Sequence, residues 1–313
     1  MELDVESFIG GKVAEIKKTV GNKRAICALS GGVDSAVVAV LVDRAIGDQL
    51  SCFFLQDGVM RQGEPEQVKS TFAKVGIDVE IVDVADEFFA ALKGKEDPEE
   101  KRKAFRDIFY TVLGRIVKES GANFMFQGTI APDIKETVGG VKSQHNVLEQ
   151  IGLDTSAWGL EKVMEPLIDL YKPGVRQVAK AMGLPESVYN RMPFCGPGLS
   201  ARVIGEVTPE RVETVRKATK IVEEELKDSG AFQYLAVLLK DQATGITEDG
   251  GRKFGKIIAV RCVESKDAVT AGVTKLGWDK LERLQQRICA EVPGVLKVVY
   301  DLTPKPPSTI EYI

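Results

Sequence analysis

From residue 24 to residue 182, short apolar segments rich in β-branched residues alternate with segments of helical period. Alternation of this kind is typical of a parallel sheet with helices on both faces, because each helix returns the chain to the same end of the sheet. The sequence therefore predicts a doubly wound, mostly parallel α/β domain. The predicted strands cover residues 24–29, 50–55, 79–84, 123–126 and 163–168, and the predicted helices cover residues 34–45, 64–75, 86–92, 98–120 and 174–182.

A cluster of prolines and glycines at residues 192–198 interrupts this pattern. A chain of 313 residues is also longer than one hydrophobic core usually supports. We therefore predict an α/β domain over residues 1–188 and a smaller α+β domain over residues 189–313. The second domain is predicted to contain helices over residues 209–227 and 278–291 and strands over residues 232–239, 256–263 and 296–302.

Charge, cysteine spacing and hydropathy argue against several classes of protein. The net charge of -4 gives no electrostatic reason to expect a nucleic acid as the main ligand. The five cysteines include no Cys-x-x-Cys pair, so neither a zinc site nor a disulfide framework is predicted, and a cytoplasmic location is expected. The longest apolar run, residues 36–42, is too short to span a membrane. His145 is the only histidine, so a Ser-His or Cys-His nucleophile would have to use it.

The strand predicted at residues 24–29 leads directly into Ser30-Gly31-Gly32-Val33-Asp34-Ser35 and then into an apolar helix. Ligands of doubly wound sheets bind at this edge, and two glycines before a helix N-terminus suit a phosphate group. Ser30 and Ser35 supply hydroxyl donors. The Asp34 carboxylate beside an anion implies a cation, for which Mg²⁺ shared with phosphates is the natural choice. The alternative is a glycine turn in which Asp34 caps the helix.

Two other glycine-rich segments imitate nucleotide motifs. Residues 250–256 have the spacing of a Walker loop, but Ile257 stands where Ser or Thr must bind Mg²⁺, so a hairpin is predicted instead. Residues 196–201 imitate a dinucleotide fingerprint, but no strand leads into them. Neither segment is predicted to bind a nucleotide.

The six-residue loop resembles the pyrophosphatase loop of the N-type ATP pyrophosphatases, which cleave ATP between its α and β phosphates. Further segments, spread over almost the whole chain, resemble the GMP synthetase family within that group. The most specific of them is the tail, with Val299-Tyr300-Asp301-Leu302 and Lys305-Pro306-Pro307-Ser308-Thr309-Ile310-Glu311-Tyr312. The others are residues 127–133, residues 141–147, and residues 193–199 with residues 202–207.

The resemblance implies an adenine nucleotide alpha hydrolase-like fold and an enzyme that aminates XMP to GMP. In that family the O2 atom of XMP attacks the α-phosphate of MgATP, pyrophosphate leaves, and ammonia then displaces AMP from C2. Asp34 would carry Mg²⁺, with Asp133 as a second candidate ligand, and Lys142 would reach the reacting phosphates from a lid at about residues 129–161. The ATP-binding residues implied are Ser30, Gly31, Gly32, Val33, Asp34, Ser35, Ala36, Gln127, Gly128 and Thr129.

For XMP, the resemblance implies that Arg202 and Lys305 face the phosphate, and that Thr309, Ile310 and Glu311 hold phosphate, ribose or base. Two alternatives stay open at this stage. Arg202 could form a surface ion pair, and the tail could be a frayed terminus.

Other polar residues have no assigned role. Cys195 is interpreted as a packed thiol rather than a nucleophile, because no histidine is evidently paired with it. His145 is either a polar loop residue or a lid contact to substrate. The basic run at residues 101–103 is interpreted as a solvated helix face.

The chain departs from the family pattern at four places. Gln144 and Met192 each replace a histidine, Cys195 replaces a proline, and Gln56-Asp57 stands where Asp followed by Asn or Thr is typical. A carboxylate after the second strand would help to bind ATP or a metal, so either Asp57 takes that role from the neighbouring position or the chain binds ATP differently.

The resemblance also bears on partners. Single-chain GMP synthetases carry a glutaminase domain with a Cys-His-Glu triad ahead of the phosphate loop, which here begins at residue 30. We therefore expect a synthetase subunit that receives ammonia from a separate glutamine amidotransferase subunit and forms a homodimer through the second domain.

Two other functions compete with this one. The chain could be another ATP pyrophosphatase, such as an ammonia-using NAD synthetase or a tRNA-modifying enzyme, although a tRNA thiolase would need paired reactive cysteines and a basic face. It could also be a non-catalytic nucleotide-binding subunit.

Overall fold

A computed structural model describes residues 3–138, 155–247, 249–266 and 268–313, with the side chains of residues 135–138 left out. The described residues group into two compact units. The first lies within Met1–Gln56, Gly63–Val84 and Phe109–Arg191, and the second within Asp57–Gln62, Ala85–Ile108 and Met192–Ile313. These groups do not follow a single cut of the chain. The division into residues 1–188 and 189–313 stays a prediction.

The first unit is built on a five-stranded parallel sheet in the order β3-β2-β1-β4-β5. Its strands are β1 (Ala25–Leu29), β2 (Leu50–Gln56), β3 (Val79–Asp83), β4 (Phe124–Phe126) and β5 (Lys162–Met164). The central strand β1 is wholly apolar, as expected for a strand covered on both faces. The predicted doubly wound fold is confirmed.

Eight helices precede residue 190 in the described part of the chain. They are α1 (Val5–Val20), α2 (Val33–Ile46), α3 (Glu64–Ala73), α4 (Ala85–Leu92), α5 (Pro98–Ser120), α6 (Ala131–Val138), α7 (Lys172–Ala181) and α8 (Glu186–Tyr189). Helix α2 is nearly all buried because its sequence is almost continuously apolar. Helix α1 starts where the Asp4 carboxylate accepts the Ser7 N–H at 3.1 Å, and Gly21 caps its C-terminal end.

Two sequence interpretations of the first unit need correction. The strand predicted at residues 163–168 ends at Met164, because Pro166 has no N–H and residues 165–168 form a turn. The segment predicted as a lid without regular structure contains helix α6 and a 3₁₀ turn over Thr155–Trp158. Helix α6 begins there because Pro132 suits a first turn and the Asp133 carboxylate accepts the Ile130 N–H at 3.0 Å. Residues 139–154 of that segment lie outside the described residues.

The second unit contains helices α9 (Pro209–Leu226) and α10 (Trp278–Glu291) and a second, four-stranded sheet. Its strands are β6 (Gln233–Ile246), β7 (Arg252–Glu264), β8 (Gly272–Val273) and β9 (Val295–Tyr300). Strand β7 pairs antiparallel with β6 and β8 and parallel with β9, which confirms an α+β arrangement. Between β6 and β7 the Thr247 N–H donates to the Gly251 carbonyl at 2.8 Å, so the Walker-like segment is part of a hairpin.

Strand β6 is longer than predicted because a register shift between Leu238 and Gln242 lets pairing continue past the apolar part of the strand. Among the described residues, no helix is both long enough and apolar enough to cross a membrane.

Candidate active site

The predicted phosphate loop lies at the carboxyl end of β1 and is closed by its own serines. The Oγ atom of Ser35 accepts the Ser30 N–H at 3.2 Å and donates to the Gly32 carbonyl at 3.2 Å. The two serine hydroxyl oxygens are 3.1 Å apart. Gly31 has a φ of 72°, a conformation that side chains rarely adopt. Hydrogen bonds within the loop therefore fix its conformation in the structure.

The N-terminus of α2 is left open for a ligand. Its N-cap residue is Gly32, which makes no side-chain cap hydrogen bond. The first N–H groups of a helix lack partners within the helix and attract anions. Asp34 lies inside the first turn of α2, so the alternative in which Asp34 caps the helix is wrong. The side chains of Val33 and Ala36 are buried, so a ligand could meet these residues only through their backbone.

Asp34 is held by a lysine that the sequence did not single out. The Lys172 ammonium group, at the first residue of α7, donates to Oδ2 of Asp34. Oδ1 of Asp34 is buried and has no hydrogen-bond partner among the described residues. The sequence signal that could have identified Lys172 is its position at the start of the helix after β5, since that helix begins near the carboxyl edge of the sheet.

Gln127, Gly128 and Thr129 follow β4, which is the neighbour of β1 in the sheet. A Cβ atom on Gly128 would lie 2.8 Å from the Ser35 amide nitrogen, so only glycine fits this approach to α2. Thr129 is fully buried and donates to the Glu165 carboxylate at 2.6 Å. Gln127 Oε1 is buried and has no partner within the described structure. The predicted ATP-binding residues are thus brought together at one sheet edge.

Arg191, which is not part of the phosphate loop, holds the loop through the backbone of Gly31. It donates to the Gly31 carbonyl at 2.7 Å and to the Glu64 carboxylate, also at 2.7 Å. Glu64 is 2% exposed, so this ion pair is largely desolvated. Sequence reasoning missed this pair because its members are more than one hundred positions apart.

The donor set around the loop suits Mg²⁺ bound together with phosphates. Among the described residues, no three His, Cys, Asp or Glu side chains form a group that could hold a metal. Mg²⁺ often takes one or two carboxylates and completes its coordination with substrate phosphates and water. The partnerless Oδ1 of Asp34 fits that role. Asp133 already accepts the Ile130 N–H, and its metal role stays a prediction. Lys142, Gln144 and His145 lie outside the described residues.

The residues after β2 and at the start of the cluster of prolines and glycines have partners within the described structure. Asp57 is 2% exposed and accepts the Val59 N–H at 2.9 Å, so it shapes the turn that follows Gln56. Met192, which replaces a family histidine, accepts the Tyr234 N–H through its sulfur at 3.4 Å.

Arg202 lies at the end of a 3₁₀ turn in the second unit and is fully buried. Its Nε and Nη2 atoms donate to the two carboxylate oxygens of Glu311 at 3.0 and 2.8 Å. Its Nη1 atom has no partner among the described residues, and its guanidinium lies 4.8 Å from the Phe194 ring centre. The alternative of a surface ion pair is therefore wrong.

The tail is a packed segment and not a frayed terminus. Ile310 is buried in a cluster with Leu235, Val237 and Ala259, and Gln233 donates to Glu311 at 2.7 Å. Two other residues implied for XMP lie farther out. Lys305 donates to the Ala268 carbonyl at 2.7 Å, and the exposed Thr309 donates to the Glu311 carbonyl.

The surroundings of Cys195 and Lys101 test two interpretations made from sequence. Burial, aided by the nearby Glu311 carboxylate, raises the pKa of the Cys195 thiol to about 12, which fits a packed thiol and not a nucleophile. Lys101 is 3% exposed and donates to the carbonyls of Val203 and Gly205, so its interpretation as part of a solvated face is wrong.

Comparisons with known proteins cover nearly the whole chain. The family model for NAD synthase matches residues 4–201, and the model for the GMP synthase C terminal domain matches residues 219–312. A protein of Archaeoglobus fulgidus, named as one subunit of a glutamine-hydrolyzing GMP synthase, is 50% identical over 310 residues, covering 99% of this chain and 100% of that protein. The corresponding subunits of Pyrococcus furiosus and Methanopyrus kandleri are 50% and 48% identical, over 98% and 99% of this chain and 97% and 99% of those proteins.

Proposed function

The chain belongs to the GMP synthase family, and we propose that it aminates XMP to GMP at the expense of ATP. The observation that carries this proposal is the likeness to individual GMP synthase subunits over the full length of the chain. The phosphate loop alone would not suffice, because enzymes with different acceptors share it.

The reaction proceeds in two steps at the phosphate loop. The O2 atom of XMP attacks the α-phosphate of ATP, and the bond to the departing pyrophosphate breaks. Ammonia then adds at C2, and AMP leaves. The open N–H groups at the start of α2 would stabilise the charge that develops on pyrophosphate, whereas the Ser35 hydroxyl is used within the loop, where it donates to the Gly32 carbonyl.

Charge at the loop would come from Lys172 and from a metal bound with ATP. Lys172 neutralises the Asp34 carboxylate and so reduces the repulsion between that carboxylate and the phosphates. Mg²⁺ would be held by Asp34 and would supply further neutralisation of the phosphates. Lys142 is proposed to reach the reacting phosphates from residues 129–161, as the family resemblance implies.

The XMP site is proposed to lie in the second unit. Glu311 occupies two donors of Arg202 and leaves Nη1 for a ligand. The half-buried Lys305 and the exposed Thr309 add polar groups from the same tail. These side chains offer cations that could bind a phosphate. They also offer oxygen acceptors for the hydroxyl groups of ribose and for the polar groups of the base.

We further propose a separate glutaminase subunit, a homodimer and a cytoplasmic location. The relatives are named as subunits of glutamine-hydrolyzing enzymes, and this chain has a single histidine with which to build any triad. The homodimer is supported by large apolar side chains left exposed on the second unit, among them Ile246, Phe254 and Leu302.

The test is to combine the protein with MgATP, XMP and ammonium and to follow AMP, pyrophosphate and GMP. We expect pyrophosphate release that depends on XMP and GMP formation that depends on ammonium. Replacing XMP by nicotinate adenine dinucleotide tests the competing NAD synthetase function, for which the match at residues 4–201 is the supporting observation. Pyrophosphate release with that acceptor and none with XMP would reverse the assignment. Glutamine should replace ammonium only when the glutaminase subunit is added.

A further inference from the structure

Arg261 on β7 is one of the largest side chains that are fully buried among the described residues. A buried guanidinium is costly unless its donors meet acceptors, so its position requires a structural reason. The sequence alone indicated no role for it.

All the partners of Arg261 with hydrogen bonds in the described structure belong to the tail. Its Nε atom donates to the Ile310 carbonyl at 3.1 Å, and Nη2 donates to the Thr309 carbonyl at 2.9 Å. Its Nη1 atom donates to the Thr303 carbonyl and to the Asp301 carboxylate, each at 2.7 Å. One side chain thus joins both ends of a ten-residue segment to β7.

The tail needs such a contact because its regular pairing stops early. Strand β9 ends at Tyr300, and the backbone beyond it returns to the sheet through a bridge between Lys305 and Ala271. Backbone carbonyls that leave a strand and are buried require other donors. Arg261 supplies one to the carbonyl of the buried Ile310, and it also donates to the carbonyls of the exposed residues Thr303 and Thr309.

Asp301 completes the arrangement as the anionic partner of Arg261. It also accepts the Thr303 N–H at 2.8 Å, which fixes the turn that follows β9. Burial and a hydrogen bond to the Asp301 carboxylate raise the pKa of Tyr312 to about 12, so the last part of the tail also contacts this pair as a neutral phenol.

We infer that Arg261 is a positioning residue for XMP: it fixes the backbone of Thr309 and Ile310 so that Glu311 meets Arg202 and the tail presents its polar groups to the nucleotide. The inference rests on the function proposed above. Arg261 is assigned no contact with substrate. Its contacts are with the backbone and with Asp301.

The test compares Arg261→Lys with Arg287→Lys. Lysine keeps the charge of Arg261 but lacks the planar fork that reaches several carbonyls at once. Arg287 lies on α10 in the same unit and forms ion pairs with Glu224, Glu225 and Glu291 at a partly exposed site, so it is a matched control. We expect Arg261→Lys to raise the KM for XMP about tenfold or more and to leave the KM for ATP within about twofold of wild type, because charged hydrogen bonds to the tail are lost. The control should leave both constants unchanged.

Two kinetic results for Arg261→Lys would overturn the inference. One is an XMP KM within about twofold of wild type in a folded Arg261→Lys protein. The other is a proportional rise in the KM values for both substrates, which a merely structural role would produce. If Arg261→Lys does not fold, Asp301→Asn keeps the size of the side chain and removes the charge partner, and it should raise the XMP KM selectively. An unchanged XMP KM in that variant overturns the inference as well.

A second readout separates this inference from the proposed function. Hydrogen exchange of the Lys305 and Ser308 amides reports the tail without any substrate, since both are hydrogen-bonded in the structure. Faster exchange in Arg261→Lys than in Arg287→Lys supports the positioning of the tail even if the wild type shows no XMP-dependent pyrophosphate release. Equal exchange in the two variants overturns it.

Discussion

Replacing Gly128 by alanine tests whether the phosphate loop depends on the close approach of two chain segments. The added Cβ would lie 2.8 Å from the Ser35 amide nitrogen, 2.9 Å from the Asp34 carbonyl carbon and 3.0 Å from the Asp34 Cβ. These atoms belong to the backbone and first turn of α2, so relief requires a movement of the helix or of the segment after β4.

The expected magnitude follows from two opposing effects. A glycine at ordinary φ that becomes alanine restricts the unfolded chain and stabilises by about 0.4–1 kcal/mol. Overpacking of a fixed contact costs about 1–3 kcal/mol. The clash should win, because its nearest neighbours are backbone atoms that cannot rotate away, and a net loss of about 1–2 kcal/mol is expected.

Urea unfolding measures this loss, and initial rates of XMP-dependent pyrophosphate release measure the effect on the site. Gly11→Ala is the matched control, because Gly11 lies inside α1 with no atom within 4 Å of its added Cβ. The control should gain about 0.5–1 kcal/mol and keep the wild-type rate. A Gly128→Ala protein with wild-type stability and wild-type kinetics for ATP would refute the reasoning.

Three further predictions use the same assays. Asp34→Asn should lower pyrophosphate release at least about a hundredfold with its secondary structure intact, because the carboxylate proposed for Mg²⁺ is lost, and a near-normal rate would remove the metal role. Lys142→Ala should slow adenylation more than it weakens XMP binding, because its contact is expected in the reacting state, and equal effects on both would contradict this. Burial lowers the pKa of Lys101 from its ordinary 10.5 to about 8. Between these pH values the unfolded chain keeps a proton that the folded chain has released. The free energy of unfolding of the wild type, relative to Lys101→Met, should therefore rise as the pH increases from about 8 to about 10. Urea titrations that show no rise would contradict this pKa assignment.

Much of the fold could be predicted because its signals are local. Helix α10 has the predicted bounds of Trp278–Glu291, since an amphipathic period ends just before Val292 and Pro293. Strand β1 and the loop after it are recognisable because five apolar residues lead directly into serines and glycines. Strand β6 was underestimated because its second half is polar and is held by pairing with β7, which has no local signal.

The sequence could indicate candidate site residues that belong to a motif, and it could not indicate residues whose partners are distant in sequence. Asp34 and Glu311 stand in recognisable motifs, whereas Lys172 and Arg261 are single basic residues among many. The acceptor of Lys172 is 138 positions away in the sequence, and the acceptors of Arg261 are 40 to 49 positions away. Contacts over such separations form only when the chain folds. Lys101 was misinterpreted for the same reason, because its acceptors are more than one hundred positions away.

Gly32, the N-cap residue of α2, makes the protein without ligand less stable than it would be with a capping side chain at this position. Serine or aspartate at Gly32 would cap the helix and typically add a fraction of a kilocalorie per mole or more, but the same side chain would satisfy the N–H groups that a phosphate needs. Selection for thermal resistance alone would therefore drive this position away from glycine and damage the site. A phosphate bound as proposed above would complete the helix, so the protein should melt at a higher temperature with pyrophosphate than without it.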